Sequence, residues 1–590
     1  MLRLSLSDGR GLAGSALVGC LLALLLRWPL TLVPGALPLD PNSALHVLGA
    51  WDLGHGGGPF HLVSLGWPTG VETRLLAWPL MILVQPFALL LPPMQAFQFG
   101  VLLWITLGVV AVSALGRSWG WPWPRAVLTA VAATACAPHV FELGEGRYEN
   151  LVVLPLALAA FGARWGTLRG MVVVALGMAA VALSSPYQVV PASLIVLALA
   201  ALGGRRCLGL GLLGVVAGGL MVWPYYLGVS VESSVHMGPA TADHLEPAAL
   251  LELLWPRLHD TRSLPAPRAF GERLALLTTL PQPAVPGSAL RFHGPAQASY
   301  LGLILVPVGL FGLWGGRAEP RLRALALAGA LCLIFALGTR LHLVAGEPTA
   351  LVLPWSLSLL VPGLADMQVS LRFLTGVGIV LAVGAGSLAG ASKVRAVILG
   401  LFILADSLLL APGRWPIEGV VPQVPQLTVS GPVATFPGTP TVTLHSLAVL
   451  QLAVGHPLAY FEAAHQGVEK RSSEMELQSG GVFEEVAPTM NLTGEDPVAW
   501  LHRIQAAGVE SLLVPADLPT AVWPPVGAPP SCLDGLCVWD LLTNTEDLHF
   551  GERPAAGLGR ESRAFGPAGP PRPPKTYGTA LPPSSVPPER

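Results

Sequence analysis

Windows of about 20 predominantly apolar residues recur along this chain between residues 12 and 411, separated by short stretches that carry arginines. A helix of that length matches the roughly 30 Å hydrocarbon thickness of a bilayer. The recurrence makes the chain a polytopic α-helical membrane protein. Composition agrees, because 52% of the 590 residues are hydrophobic and only 12% are charged, about half the roughly 25% charged of a soluble domain. A soluble protein of this size could not bury that much apolar surface, which excludes a water-soluble enzyme. The net charge of −2 gives no pointer to nucleic acid as a partner.

The expected spans are 12–34, 74–92, 95–116, 125–142, 149–164, 169–185, 188–204, 208–231, 299–316, 322–338, 371–391 and 394–411. The first has Arg3 and Arg10 ahead of it and no small-x-small cleavage site behind it, so it reads as a membrane helix and not a cleaved leader. Placing Arg117, Arg125, Arg164, Arg169, Arg205, Arg206, Arg317, Arg321, Arg323, Lys393 and Arg395 in the cytoplasm gives a consistent alternation from residue 117 onward. It places the first loop 35–73, the loops 232–298 and 339–370, and everything after residue 412 outside. The alternation closes only if 74–92, interrupted by Pro79, Gln85 and Pro86, is re-entrant or interfacial, a backbone tolerated only against protein or water. About 11 full spans result.

Charge divides the chain at the same point. Residues 1–412 hold 23 basic and 17 acidic residues, and residues 413–590 hold 10 and 18. After 412, the segments 432–436, 510–514 and 536–539 read as short buried strands. Asp496-Pro497 through Gly508 reads as a capped amphipathic helix. A small extracytoplasmic α/β domain over 413–550 is expected, then a disordered Pro/Gly/Arg-rich tail over 551–590. Cys532 and Cys537 bracket four residues of the outer domain, a spacing that suits a hairpin disulfide in an oxidising compartment, with two free thiols as the alternative. No His or Cys spacing resembles a zinc site.

Ionisable groups near a membrane are costly unless paired or wet, so their positions are informative. The first outer loop holds Asp40, Asp52 and Glu72 with His46, His55 and His61. A second cluster, His139, Glu142, Glu145, Arg147, Tyr148, Glu149 and Asn150, lies at an outer turn between two spans. The third is Asp366 and Gln368 followed by Arg372-Phe373, where a late helix begins. A carboxylate beside an Arg at the outer face suits transfer from a lipid phosphate, the acid taking a proton and the cation steadying the leaving charge. Solvated loop charges and a helix-end anchor would produce the same residue types.

The stretch LRWPLTLVPGALPLDPNSALHVLGAWDLGHGGGPFHLVSLGWPTGVET resembles the first helix and first outer loop of bacterial GT-C-type membrane glycosyltransferases and their YfhO-like relatives. GRYENLVVLPLALAAFGARW, YLGLILVPVGLFGLW and DMQVSLRFLTGVGIVLAVGAG are similar to further segments of that superfamily, and the region after residue 432 looks like its α/β cap. Leu39 stands where the family commonly has Gly, and Arg147-Tyr148 where it commonly has Gly-His. The resemblance implies an inverting transferase that uses a polyprenyl-phosphate-linked sugar donor and a glycan or lipid acceptor in the bacterial inner membrane, with the N-terminus cytoplasmic. Asp40 would be the catalytic base. Asp52, Glu72, Glu145 and Glu149 would form an acidic rim or hold a divalent cation (Mg or Mn), and Arg372 and Arg147 would bind the phosphate. Two other readings remain open: a transporter or flippase of a lipid-linked or polar substrate, and a non-catalytic assembly protein of the same fold.

Overall fold

The computed structural model describes residues 6–38, 46–47, 49–50, 52–53, 61–62, 71–73, 77–144, 146–227, 253–254, 275–284, 300–338, 340–342, 348–356, 370–411, 415–417, 419–422, 433–435, 468–469, 510–515, 531–533 and 536–540. Helices dominate: α1 (Leu6–Leu26), α2 (Trp78–Ala88), α3 (Pro93–Ser118), α4 (Trp123–Thr134), α5 (Ala137–Gly144), α6 (Val153–Gly162), α7 (Leu168–Ser184), α8 (Pro186–Ala201), α9 (Gly204–Leu227), α10 (Leu305–Gly315), α11 (Pro320–Ala336), α12 (Leu374–Ala389) and α13 (Lys393–Leu409). Their starts follow local chemistry. Proline occupies the first turn of α3, α4, α8 and α11, where its missing N–H costs nothing. The hydroxyls of Thr167 and Ser392 cap α7 and α13.

Among the described residues, four helical segments are long and apolar enough to cross a membrane: Gly9–Leu26, Pro93–Ser118, Gly204–Trp223 and Ser370–Ala389. The segment expected as one span over 125–142 is instead two helices, α4 and α5, bent by 43°. Pro138 explains the break, since its ring meets the carbonyl of Thr134 four residues back, where α4 stops. Helices α2 and α10 have 11 residues each and α6 has 10, about 15–16 Å of rise and too short to cross by themselves, so the segments expected as full spans over 149–164 and 299–316 are shorter helices than expected.

Burial orders the bundle. The Ser370–Ala389 span is 78% buried, against 28% for Gly9–Leu26 and Gly204–Trp223, so α12 is central while α1 and α9 face outward with exposed Leu17, Leu21, Leu213 and Leu220. Small residues make that centre possible. A Cβ on Gly309 of α10 would lie 2.7 Å from the carbonyl oxygen of Leu381 in α12, and one on Gly312 would overlap the Gly384 carbonyl. The two backbones therefore touch, as small residues permit in membranes. Asp406 of α13, 3% exposed, accepts hydrogen bonds from the Tyr300 hydroxyl and from the backbone N–H of Leu303 (3.3 Å) and Ile304 (2.8 Å). It thereby caps the start of α10 from a neighbouring helix.

Short strands tie the loops together. β1 (Leu37–Pro38) pairs with β7 (Gly419–Pro422), which pairs in parallel with β4 (Gln282–Ala284). β2 (His61–Leu62), β3 (Val71–Thr73) and β9 (Val468–Glu469) form a second sheet, and β5 (Arg340–His342) pairs antiparallel with β6 (Pro348–Val352). The β1-β7-β4 ladders bring Leu37–Pro38, Gln282–Ala284 and Gly419–Pro422, far apart in the chain, into one sheet. β8 (Val433–Thr435), β10 (Ser511–Pro515), β11 (Ser531–Leu533) and β12 (Leu536–Asp540) form a sheet of order β11-β12-β10-β8, with β8, β10 and β12 at the three segments expected as strands. The capped helix at 496–508 and the tail 551–590 lie outside the described residues.

The opposite end of the bundle gathers arginines. Helix α3 runs from Phe97, whose ring packs on Tyr148, to Ser118, about 30 Å away. There Arg125 lies 2.7 Å from Glu319 and 3.8 Å over the Trp121 ring, the Trp121 indole donates to Glu319, and Arg321 donates to the Trp119 carbonyl. Clustered Trp and Arg are the usual furniture of a membrane interface.

Candidate functional site

The second polar cluster is built by a turn between α5 and α6. Gly146, at φ 68°, lets the chain reverse after α5, so that its own N–H reaches Leu143 and the Arg147 N–H reaches the Glu142 carbonyl at 2.9 Å. The turn continues as a short 3-10 helix, Tyr148–Asn150. Glu142, 5% exposed, receives Asn150 Nδ2 at 3.1 Å and faces Arg147 at 3.7 Å. Ser185, between α7 and α8, donates to Asn150 Oδ1 at 2.9 Å. Asn150 is thereby fixed with both ends of its amide used, and Glu142 is held as a structural carboxylate.

Glu149 faces a different set. Its Oε2 lies 3.7 Å from His46 Nε2, and His46 stands edge-on to Tyr148 at 5.3 Å between ring centroids. Arg372 is near enough to act on Glu149 electrostatically. Because α6 begins at Val153, Glu149 sits in the preceding turn, outside the helix. Burial pushes its carboxyl up to about 7; the charge of Arg372 opposes that rise, the Glu142 charge adds to it and Arg147 opposes it weakly. A carboxyl poised near neutrality can exchange a proton with a hydroxyl.

Arg372 belongs to the 3-10 turn Ser370–Phe373 that leads into α12. Its guanidinium stacks 4.4 Å from the Tyr187 ring centroid, its carbonyl accepts from Gln188 Nε2 at 3.3 Å, and its Nε is buried without a hydrogen-bond partner. A planar guanidinium held by an aromatic face, with donor capacity left over, is suited to an anionic oxygen.

Thus His46 of the first loop, Glu142, Arg147 and Glu149 of the second cluster, and Arg372 of the third come together, although some 326 positions separate the ends of that set. Asp52 is buried and has a partner. Glu72 is described only through its backbone, opposite His61 and Glu469. Asp40, Glu145, Asp366 and Gln368 lie outside the described residues. Cys537 is disulfide-bonded, and the residue opposite it in the β11–β12 ladder is Cys532. Among the described residues no three His, Cys, Asp or Glu side chains gather as a metal site.

Two contributors carried no role in the sequence reading: Asn150 as a bridge, and the Tyr187-Gln188 pair beneath Arg372. Arg27 had a visible signal, an arginine inside a long apolar run, which suits a residue facing a cavity or a broken helix end. No family model matches the chain, and no curated protein matches it.

Proposed function

We propose that this chain is an integral membrane glycosyltransferase of GT-C type with about 11 spans. It transfers a sugar from a polyprenyl-phosphate donor to an envelope glycan or lipid acceptor on the outer face of the bacterial inner membrane. One observation supports the reading: Glu149 lies 3.7 Å from His46 and within electrostatic reach of Arg372, so an acid, an imidazole and a guanidinium from three distant parts of the chain gather at one end of the bundle.

The chemistry follows from those types of group. Asp40 accepts the proton of the acceptor hydroxyl, whose oxygen forms a bond to the anomeric carbon from the face opposite the phosphate. The bond from that carbon to the phosphate oxygen breaks, its electron pair leaves with the polyprenyl phosphate, and configuration inverts. Arg372 and Arg147 meet the charge that develops on the phosphate, and Asp52, Glu72, Glu145 and Glu149 form the rim that orients hydroxyls.

The test is sugar transfer in proteoliposomes supplied with a polyprenyl-phosphate-linked sugar, comparing the unmutated protein with Asp40→Asn and Arg372→Gln. Loss of about 100-fold or more in Asp40→Asn is expected for removal of a general base. An unmutated rate in stably folded Asp40→Asn would refute the assignment, and donor crossing the bilayer without turnover would replace it with a flippase.

A further inference from the structure

Arg27 follows the last residue of α1 and is 1% exposed, among the largest fully buried side chains of the chain. Its Nη1 donates to the Tyr148 hydroxyl at 2.5 Å, and its guanidinium carbon lies 5.4 Å from that ring's centroid. Its Nη2 has no hydrogen-bond partner, and no described carboxylate lies within ion-pair distance of it. A guanidinium does not shed its proton in a protein, so this charge is not relieved by neutralisation. The carbonyl end of α1 and the Tyr148 ring offset part of it, but the Leu25 carbonyl is already taken by the Trp415 indole at 2.9 Å. An unpaired buried charge is among the most costly arrangements a fold can hold. Arg147 by contrast faces Glu142, and Arg372 acts on Glu149. Of Arg27, Arg147 and Arg372, Arg27 is the one whose counter-charge is missing among the described residues.

We propose that Arg27 Nη2 is an anion-binding point that takes one oxygen of a phosphate ester carried by a lipid, with Tyr148 holding the guanidinium in place. Tyr148 connects this point to the rest of the cluster, because its ring contacts His46, which faces Glu149, and its neighbours in the turn are Arg147 and Glu149. The proposal rests on the transferase reading only for the choice of a lipid phosphate as the anion.

The test measures binding of dodecyl phosphate to the detergent-solubilised full chain by calorimetric titration, with dodecanoate, inorganic phosphate and dodecyl maltoside as comparison ligands. Saturable binding of dodecyl phosphate is expected, weakened at least about tenfold in Arg27→Gln and unchanged in Arg164→Gln at the far end of the bundle. Equal affinity in Arg27→Gln overturns the proposal, and a preference for dodecanoate overturns the assignment to phosphate. Inorganic phosphate binding as tightly as dodecyl phosphate overturns the lipid as its source. Should Arg27→Gln not fold, the unmutated protein decides. A dodecyl phosphate with a diazirine beside the phosphate should label the peptides that carry Arg27 and Tyr148, and labelling confined to other peptides overturns the proposal. Phosphate binding that depends on Arg27 in a protein that transfers no sugar would leave this inference standing and remove the transferase reading. Sugar transfer with undiminished donor affinity in Arg27→Gln would do the reverse.

Discussion

Alanine substitutions at three glycines of α10 test how closely it packs on α12. Gly315 has nothing within 4 Å of a built Cβ; at Gly309 that atom would meet the Leu381 oxygen, Cβ and Cα at 2.7, 2.8 and 2.9 Å; at Gly312 it would overlap the Gly384 carbonyl. Contacts below 3.0 Å are essentially never found, so Gly309→Ala requires the two helices to part by a few tenths of an ångström, and Gly312→Ala by more. The obstacles are mainly main-chain or Cβ atoms, which cannot swing aside as a long side chain does. Overpacking of this kind costs about 1–3 kcal/mol, placing Gly309→Ala inside that range and Gly312→Ala at or above its upper end. Gly315→Ala should be neutral or gain up to about 1 kcal/mol from helix propensity. Thermal unfolding in detergent should therefore rank the midpoints Gly315→Ala, then Gly309→Ala, then Gly312→Ala. Because Arg372 sits in the turn that starts α12, Gly312→Ala should also disturb the polar cluster. Three variants melting together would refute the packing argument.

Asp406→Ala strands the Tyr300 hydroxyl donor and the Ile304 N–H at the start of α10, while the Leu303 N–H keeps the Tyr300 oxygen, and should cost about 2 kcal/mol or more. Asp406→Asn, which keeps an acceptor, should cost less, and equal midpoints by thermal unfolding would count against the cap. Glu149 has its folded-state pKa raised to about 7 from 4.5, so the stability it contributes is present below pH 4.5 and lost as pH rises through 7. Glu149→Gln should flatten that part of the stability profile, with His46→Gln run alongside because His46 Nε2 lies 3.7 Å from Glu149, and an unchanged profile would contradict the assignment.

The apolar helices, four of them long enough to cross a membrane among the described residues, were legible because hydropathy is local and each window carries its own message. The bend between α4 and α5 was not, since an average over the window hides one proline whose effect falls on Thr134. The strands β8, β10 and β12 were readable as apolar runs, but the pairing of β1 with β7 depends on chain closure over nearly 400 residues. Glu149 and Arg372 were each visible as scarce charges in an apolar chain. Their proximity was not, because it is set by α12 packing at the centre of the bundle through glycines that look unremarkable in sequence. Arg27 was visible as an oddity, and only its 121-residue reach to Tyr148 turned it into a binding point.

The most direct measurement of the central claim is mass spectrometry of lipid-linked sugars and envelope glycans in a strain lacking this gene. Accumulation of one polyprenyl-phosphate-linked sugar with loss of the matching glycan residue is predicted, reversed by the unmutated gene but not by Asp40→Asn. Unchanged lipid-linked sugars and unchanged glycans would contradict the account.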